Sequence, residues 1–210
     1  MRRILYLHGF ASSPLSKKAQ FFRKKFAGCG VELEVPELAT EGFERLTVSG
    51  QLDVIERLGS GEPLAIIGSS MGGYLAALYA SRHPEVTHVV MMAPAFGFAR
   101  RWGARIGDEA FARWQVEGFL EVHHYGEGRP ARVGYELIED GLKYPEEPEF
   151  SQAGLILHGW NDEVVPAGAS IRYTGRNPHV KLQLFDAGHE MTEVTESMWV
   201  QARRFLGLAA

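Results

Sequence analysis

The chain has 210 residues, 45% of them hydrophobic and 23% charged, and a formal net charge of −4 at pH 7. That length and apolar content suit one well-buried core, while the acidic balance argues against nucleic acid, whose phosphates need a concentrated basic face. A lone cysteine, Cys29, excludes an intrachain disulfide, and no apolar stretch approaches the length of a membrane span.

At the N-terminus, Arg2-Arg3 precedes Ile4-Leu5-Tyr6-Leu7, but the apolar run stops at His8-Gly9. This is too short for the hydrophobic region of a signal peptide, so the chain reads as cytoplasmic and mature as written. Ile4–Leu7 is instead the first of six predicted strands. The others are Val31–Val35, Leu64–Ile67, His88–Met92, Leu155–His158 and Lys181–Phe185, most of them continuous aliphatic runs like strands covered on both faces. Between the first two strands, Leu15, Ala19, Phe22 and Phe26 recur at helical spacing with Lys and Arg on the other side. Val48, Leu52 and Ile55 repeat the pattern before the third strand, a helix-like stretch runs from Tyr74 to Arg82, and about Val194 to Leu206 closes the chain as a helix. Strands alternating with helices predict an α/β fold with a doubly wound, mostly parallel six-stranded sheet.

Residues 97–150 break this rhythm. Gly126-Glu127-Gly128-Arg129-Pro130 is a turn signal between Phe119–Tyr125 and Val133–Leu142, which predicts a hairpin followed by a short helix. More than fifty residues between consecutive strands exceed a simple crossover. The excursion is read as a cap insertion over a cleft at the carboxyl ends of the strands, within a single domain spanning residues 1–210.

Gly68-Ser69-Ser70-Met71-Gly72 ends the third predicted strand and opens a helix, which is G-x-S-x-G in the strand–turn–helix setting that exposes a serine hydroxyl. A serine nucleophile needs a base within hydrogen-bond reach, oriented in turn by a carboxylate. His189 lies just past the last strand, in Phe185-Asp-Ala-Gly-His189, on the rim where Ser70 should sit. His179 precedes its strand, and His158 comes before the acid, so His189 is the candidate base. The acid should follow Leu155–His158, where Asp162 and Glu163 are both available, with Asp162 preferred. Asp186 is too near His189 in sequence to approach the ring comfortably. Backbone donors for a developing oxyanion are expected from the N–H of Met71 and from Phe10, in the loop after the first strand, where Gly9 permits a tight turn.

These residues resemble the α/β-hydrolase superfamily over essentially the whole chain. The motifs that carry the likeness are His8-Gly9-Phe10, the Gly68–Gly72 elbow, His158-Gly-x-x-Asp162-x-x-Val165-Pro166 and Gly188-His189. The opening Leu5-Tyr-Leu-His-Gly-Phe-Ala-Ser-Ser-Pro-Leu-Ser-Lys17 is similar to the small bacterial YqiA-type esterases. The resemblance implies a pared-down hydrolase fold and hydrolysis of a small-molecule ester or thioester with a Ser70–His189–Asp162 triad, without cofactor or metal. The same machinery would also serve cleavage of a carbon–carbon bond, and a catalytically silent protein would use the cleft to bind an apolar ligand. The sequence carries no sign of oligomeric state.

Three further features stand out. His123 and His124 are adjacent and would point to opposite faces of a strand, a poor metal pair. Phe96, Phe98 and Trp102 lead into the insertion and are the best candidates to line an acyl pocket. Residues 1–31 hold seven basic side chains and no acid. Lys17 and Lys18 among them read either as a solvated face or as a landing site for an anionic leaving group.

Overall fold

The computed structural model describes residues 3–59 and 61–208. In chain order the elements are β1 (Arg3–Leu7), α1 (Lys17–Gly28), β2 (Leu33–Glu34), α2 (Val48–Gly59), β3 (Leu64–Ser69), α3 (Met71–Ala80) and β4 (Val86–Met92). There follow α4 (Phe98–Ile106), α5 (Asp108–Glu117), β5 (Phe119–His124), β6 (Arg129–Gly134), α6 (Glu136–Gly141), β7 (Ala153–Gly159), α7 (Gly168–Arg176), β8 (Val180–Phe185) and α8 (Thr195–Phe205).

Six strands form one parallel sheet in the order β2-β1-β3-β4-β7-β8. Side chains alternate across a strand, and here both sides are apolar. Ile4, Tyr6, Ala65, Ile67, Val90 and Met92 face a core built with α1 and α8, through Phe22, Phe26, Met198 and Trp199. Leu5, Leu7, Leu64, Ile66, Val89 and Met91 face a second core containing Leu52, Ile55, Tyr74 and Leu78 from α2 and α3. Burial on both faces is what makes these strands read as unbroken aliphatic runs. From β1 the chain steps outward to β2 and then returns to β3 on the other side. That reversal opens a crevice at the carboxyl ends of β1 and β3.

The predicted strands all appear. In α1 the apolar stripe starts later than its spacing implied. Ser16 caps the helix, its Oγ accepting from the Ala19 N–H at 3.3 Å, so Leu15 stays outside the helix and is 76% exposed.

Between β4 and its sheet neighbour β7 the chain makes α4, α5, the antiparallel β5–β6 hairpin and α6. The hairpin and short helix match expectation, whereas α4 and α5 did not stand out in the sequence. Two anchors tie this segment down. Trp114 is buried and donates from Nε1 to the Val133 carbonyl at 3.1 Å, holding α5 to the hairpin. Asp140 of α6 accepts from the Ser49 backbone N–H at 2.7 Å and from its hydroxyl at 2.8 Å, placing a carboxylate on the first turn of α2. Among the described residues no helix is long and apolar enough to cross a membrane.

Candidate active site

The turn from β3 into α3 holds Ser70 at φ 54°, ψ −114°. A non-glycine residue there is strained by about 1–3 kcal/mol and persists only when its surroundings over-determine it. They do so here. The Ser70 N–H donates to the Met92 carbonyl at 2.8 Å, and the Ser70 carbonyl accepts from the N–H groups of Ala95 at 3.0 Å and Tyr74 at 3.1 Å. The flanking glycines are required by contact. A Cβ at Gly68 would overlap the Gly72 carbonyl, and one at Gly72 would overlap the backbone of Leu7. The motif is thus a packing solution that lets β1, β3 and α3 meet behind the serine.

The structure brings Ser70, His189 and Asp162 together from the ends of β3, β8 and β7. His189 Nε2 lies 3.1 Å from Ser70 Oγ, and Nδ1 lies 2.7 Å from Asp162 Oδ2. The other carboxylate oxygen, Oδ1, accepts from the Val164 N–H at 2.9 Å and the Val165 N–H at 2.7 Å. Burial works to raise the Asp162 pKa, but hydrogen bonds from His158, His189 and the Val165 N–H outweigh it and hold the carboxyl well below the usual carboxylate range. Glu163 is exposed, and Asp186 accepts from the Asn161 amide at 2.7 Å. His179 precedes β8 and packs edge-on to Phe150, at 5.7 Å between centroids.

His158 has a part that its place in the sequence did not disclose. It is fully buried, with Nε2 at 2.9 Å from the Val165 carbonyl and 3.2 Å from Asp162 Oδ2. Both neighbours are acceptors, so Nε2 carries the proton, and Nδ1 lies 2.7 Å from the buried Ser170 hydroxyl. A second imidazole therefore braces the same carboxylate oxygen that faces His189. The only hint in the sequence was an invitingly placed histidine with no role in the chain order Ser–Asp–His.

The loop after β1 runs alongside Ser70. A Cβ at Gly9 would come within 3.3 Å of the Ser69 carbonyl and 3.4 Å of the Ser70 Cβ. His8 is buried, with Nδ1 at 3.0 Å from the Gly9 carbonyl, while its Nε2 accepts from the Leu38 N–H at 3.4 Å. The carbonyl of Gly9 and the N–H of Phe10 belong to one trans peptide and point in opposite directions. Drawing that carbonyl toward the His8 ring turns the Phe10 N–H the other way.

A cleft of about 470 Å³, open to solvent, adjoins Ser70 and Met71 and is walled by Phe10, Phe98, Trp102 and Val165. Phe10 packs edge-on against Trp102 at 5.0 Å. Of the three aromatics singled out, Phe98 and Trp102 reach the cleft. Phe96 is buried elsewhere, stacked on Tyr173 at 4.5 Å.

The basic helix is where the structure departs most from the sequence reading. Lys17 is exposed, but Lys18 turns inward, is 8% exposed, and donates from Nζ to Ser69 Oγ at 3.2 Å. It is neither a solvated side chain nor a landing site. Burial pulls its pKa down, against the opposing pull of the Glu190, Asp162 and Glu193 carboxylates.

The sheet, the serine on its strained turn and the loops at one rim define the α/β-hydrolase fold. The structure superposes on Est1E from Butyrivibrio proteoclasticus with a TM-score of 0.78 at 18% identity, covering 98% of this chain and 86% of that one. Against α/β hydrolase domain-containing protein 10 from mouse the TM-score is 0.76 at 22% identity, over 97% and 89% of the two chains. A soluble variant of monoglyceride lipase from Saccharomyces cerevisiae gives 0.78 at 14% identity, over 98% and 87%. The chain belongs to the uncharacterised protein family UPF0227, whose model matches residues 3–205.

Proposed function

We propose that this protein is a serine hydrolase that cleaves carboxylic esters of small molecules through an acyl-enzyme. The observation that carries the reading is the continuous relay from Ser70 Oγ through His189 to Asp162, with contacts of 3.1 and 2.7 Å. The fold supports a hydrolase, and one structural relative is named a lipase. In this reading Ser70 Oγ attacks the ester carbonyl carbon as His189 Nε2 takes the hydroxyl proton. The negative charge that develops on the carbonyl oxygen is met by the N–H groups of Met71 and Phe10. When the tetrahedral species collapses, the bond to the alcohol oxygen breaks and His189 returns the proton to that oxygen. A water molecule, deprotonated by His189, then attacks the acyl carbon, and the carboxylic acid leaves as Ser70 recovers its proton. Asp162 fixes the Nδ1–H tautomer of His189 and stabilises the imidazolium.

The same reading takes the whole chain as one hydrolase domain, working without a cofactor in the cytoplasm. The segment between β4 and β7 forms a cap whose α4 supplies the apolar wall. A panel of p-nitrophenyl esters from short to long acyl chains tests the proposal. Ser70→Ala should lower kcat by up to about 10⁶-fold and Asp162→Asn by about 10⁴-fold. A near-normal rate in Ser70→Ala would contradict it.

A further inference from the structure

The cleft beside Ser70 is apolar over most of its wall, yet two guanidinium groups reach it, both from α4. Arg101 and Arg105 are four residues apart and so share a helix face. Phe98 and Trp102 complete that face, and Arg105 lies over the Trp102 ring with its Cζ 6.0 Å from the centroid.

Within α4 the two arginines differ from the third. Arg100, their neighbour, is paired with Glu146. Among the described residues no carboxylate stands within ion-pair distance of Arg101 or Arg105. Arg101 is partly buried, and one of its Nη groups donates to the Phe96 carbonyl, which fixes the side chain against the cleft. Burial lowers its pKa, and the nearest opposing charges, Asp162 and Glu146, act only through the field. A half-desolvated cation in an aromatic wall is costly unless something negative joins it. The planar fork of a guanidinium matches a carboxylate well.

We propose that Arg101 and Arg105 form a carboxylate-recognition subsite and that the preferred substrates are esters bearing one free carboxylate near the scissile bond. The subsite replaces the anion site that the sequence suggested on α1. It rests on the reading of Ser70 as the nucleophile.

Two matched pairs of esters test it. Mono-p-nitrophenyl adipate against its methyl ester puts the charge on the acyl side; 4-carboxyphenyl butyrate against its methyl ester puts it on the alcohol side. For at least one pair the charged member should have the higher kcat/KM, and that preference should shrink as salt rises. Arg105→Gln should cut the charged-to-neutral ratio by about tenfold, and Arg101→Gln should do likewise. Arg101→Lys, which keeps the charge but loses the fork, should retain part of the preference. If Arg101 only braces the Phe96 carbonyl, its loss slows both members of a pair equally and leaves the ratio unchanged, which overturns its assignment. A ratio at or below one for both pairs, or one indifferent to Arg105→Gln, overturns the subsite. If the neutral esters are still hydrolysed in a Ser70-dependent way, the subsite alone has failed. If no ester of either pair is hydrolysed in a Ser70-dependent way, the reading of Ser70 fails with it.

Discussion

Lys18 and Asp162 are both buried, and each departs from its ordinary titration for a physical reason. Lys18 is a cation whose nearest partner is a hydroxyl, so burial depresses its pKa. Between that depressed value and the unfolded value near about 10.4 the unfolded chain binds more protons than the native one. Stability therefore rises with pH across that window. Lys18→Met should remove this alkaline rise, seen as a flatter dependence of the urea midpoint on pH than in the parent protein. An unchanged slope would mean that Lys18 is not held against its charge. The convergence of Ser70, His189 and Asp162 was legible in the sequence because each follows a strand. Lys18 was not, because a lysine at that spacing reads as solvated unless one knows that the Ser69 hydroxyl lies beneath it. His158 escaped similarly, since bracing a carboxylate leaves no spacing signature.

Element boundaries follow from how closely backbones must approach. At Gly72, α3 touches the end of β1, and a methyl group there would enter the space of the Leu7 and His8 carbonyls. Gly72→Ala should destabilise the protein by about 3 kcal/mol, at the upper end of the overpacking range, read as a fall in Tm of several degrees. Ala at Gly128, in the hairpin turn at φ 65° with no atom within 4 Å of the added methyl, should cost only the backbone strain. Equal effects at the two sites would show that the elbow can yield. The strands were readable because double-sided burial writes itself as runs of Val, Ile, Leu and Met. The start of α1 was not, since a serine cap inside an apolar stripe outweighs the stripe. Helix α4 was hidden for a different reason: its apolar face is only Phe98, Ala99 and Trp102 among three arginines and a glycine.

Across the whole molecule, the segment between β4 and β7 walls the cleft and also meets the loop after β1. Its α4 supplies Phe98 and Trp102, while the hairpin tip meets the loop after β1, the Gly126 N–H donating to the Ala11 carbonyl at 3.3 Å. Trp102 is 7% exposed and packs on Phe10 and Trp114. Trp102→Ala should lengthen the cleft and shift the preferred acyl chain of a p-nitrophenyl ester series toward longer members. It should also cost about 3–5 kcal/mol of stability. An unchanged chain-length optimum would mean that acyl groups lie elsewhere. The hairpin and the short helix after it were readable from the turn residues, but the docking of the segment was not, because contacts such as Asp140 with Ser49 join positions 91 residues apart.

The convergence of Ser70, His189 and Asp162 is tested most directly by labelling the intact protein with a fluorophosphonate and locating the adduct by mass spectrometry. The account predicts a single adduct on Ser70, formed orders of magnitude more slowly in His189→Ala and absent in Ser70→Ala. No adduct on Ser70, or labelling of Ser70 at the parent rate in His189→Ala, would contradict it.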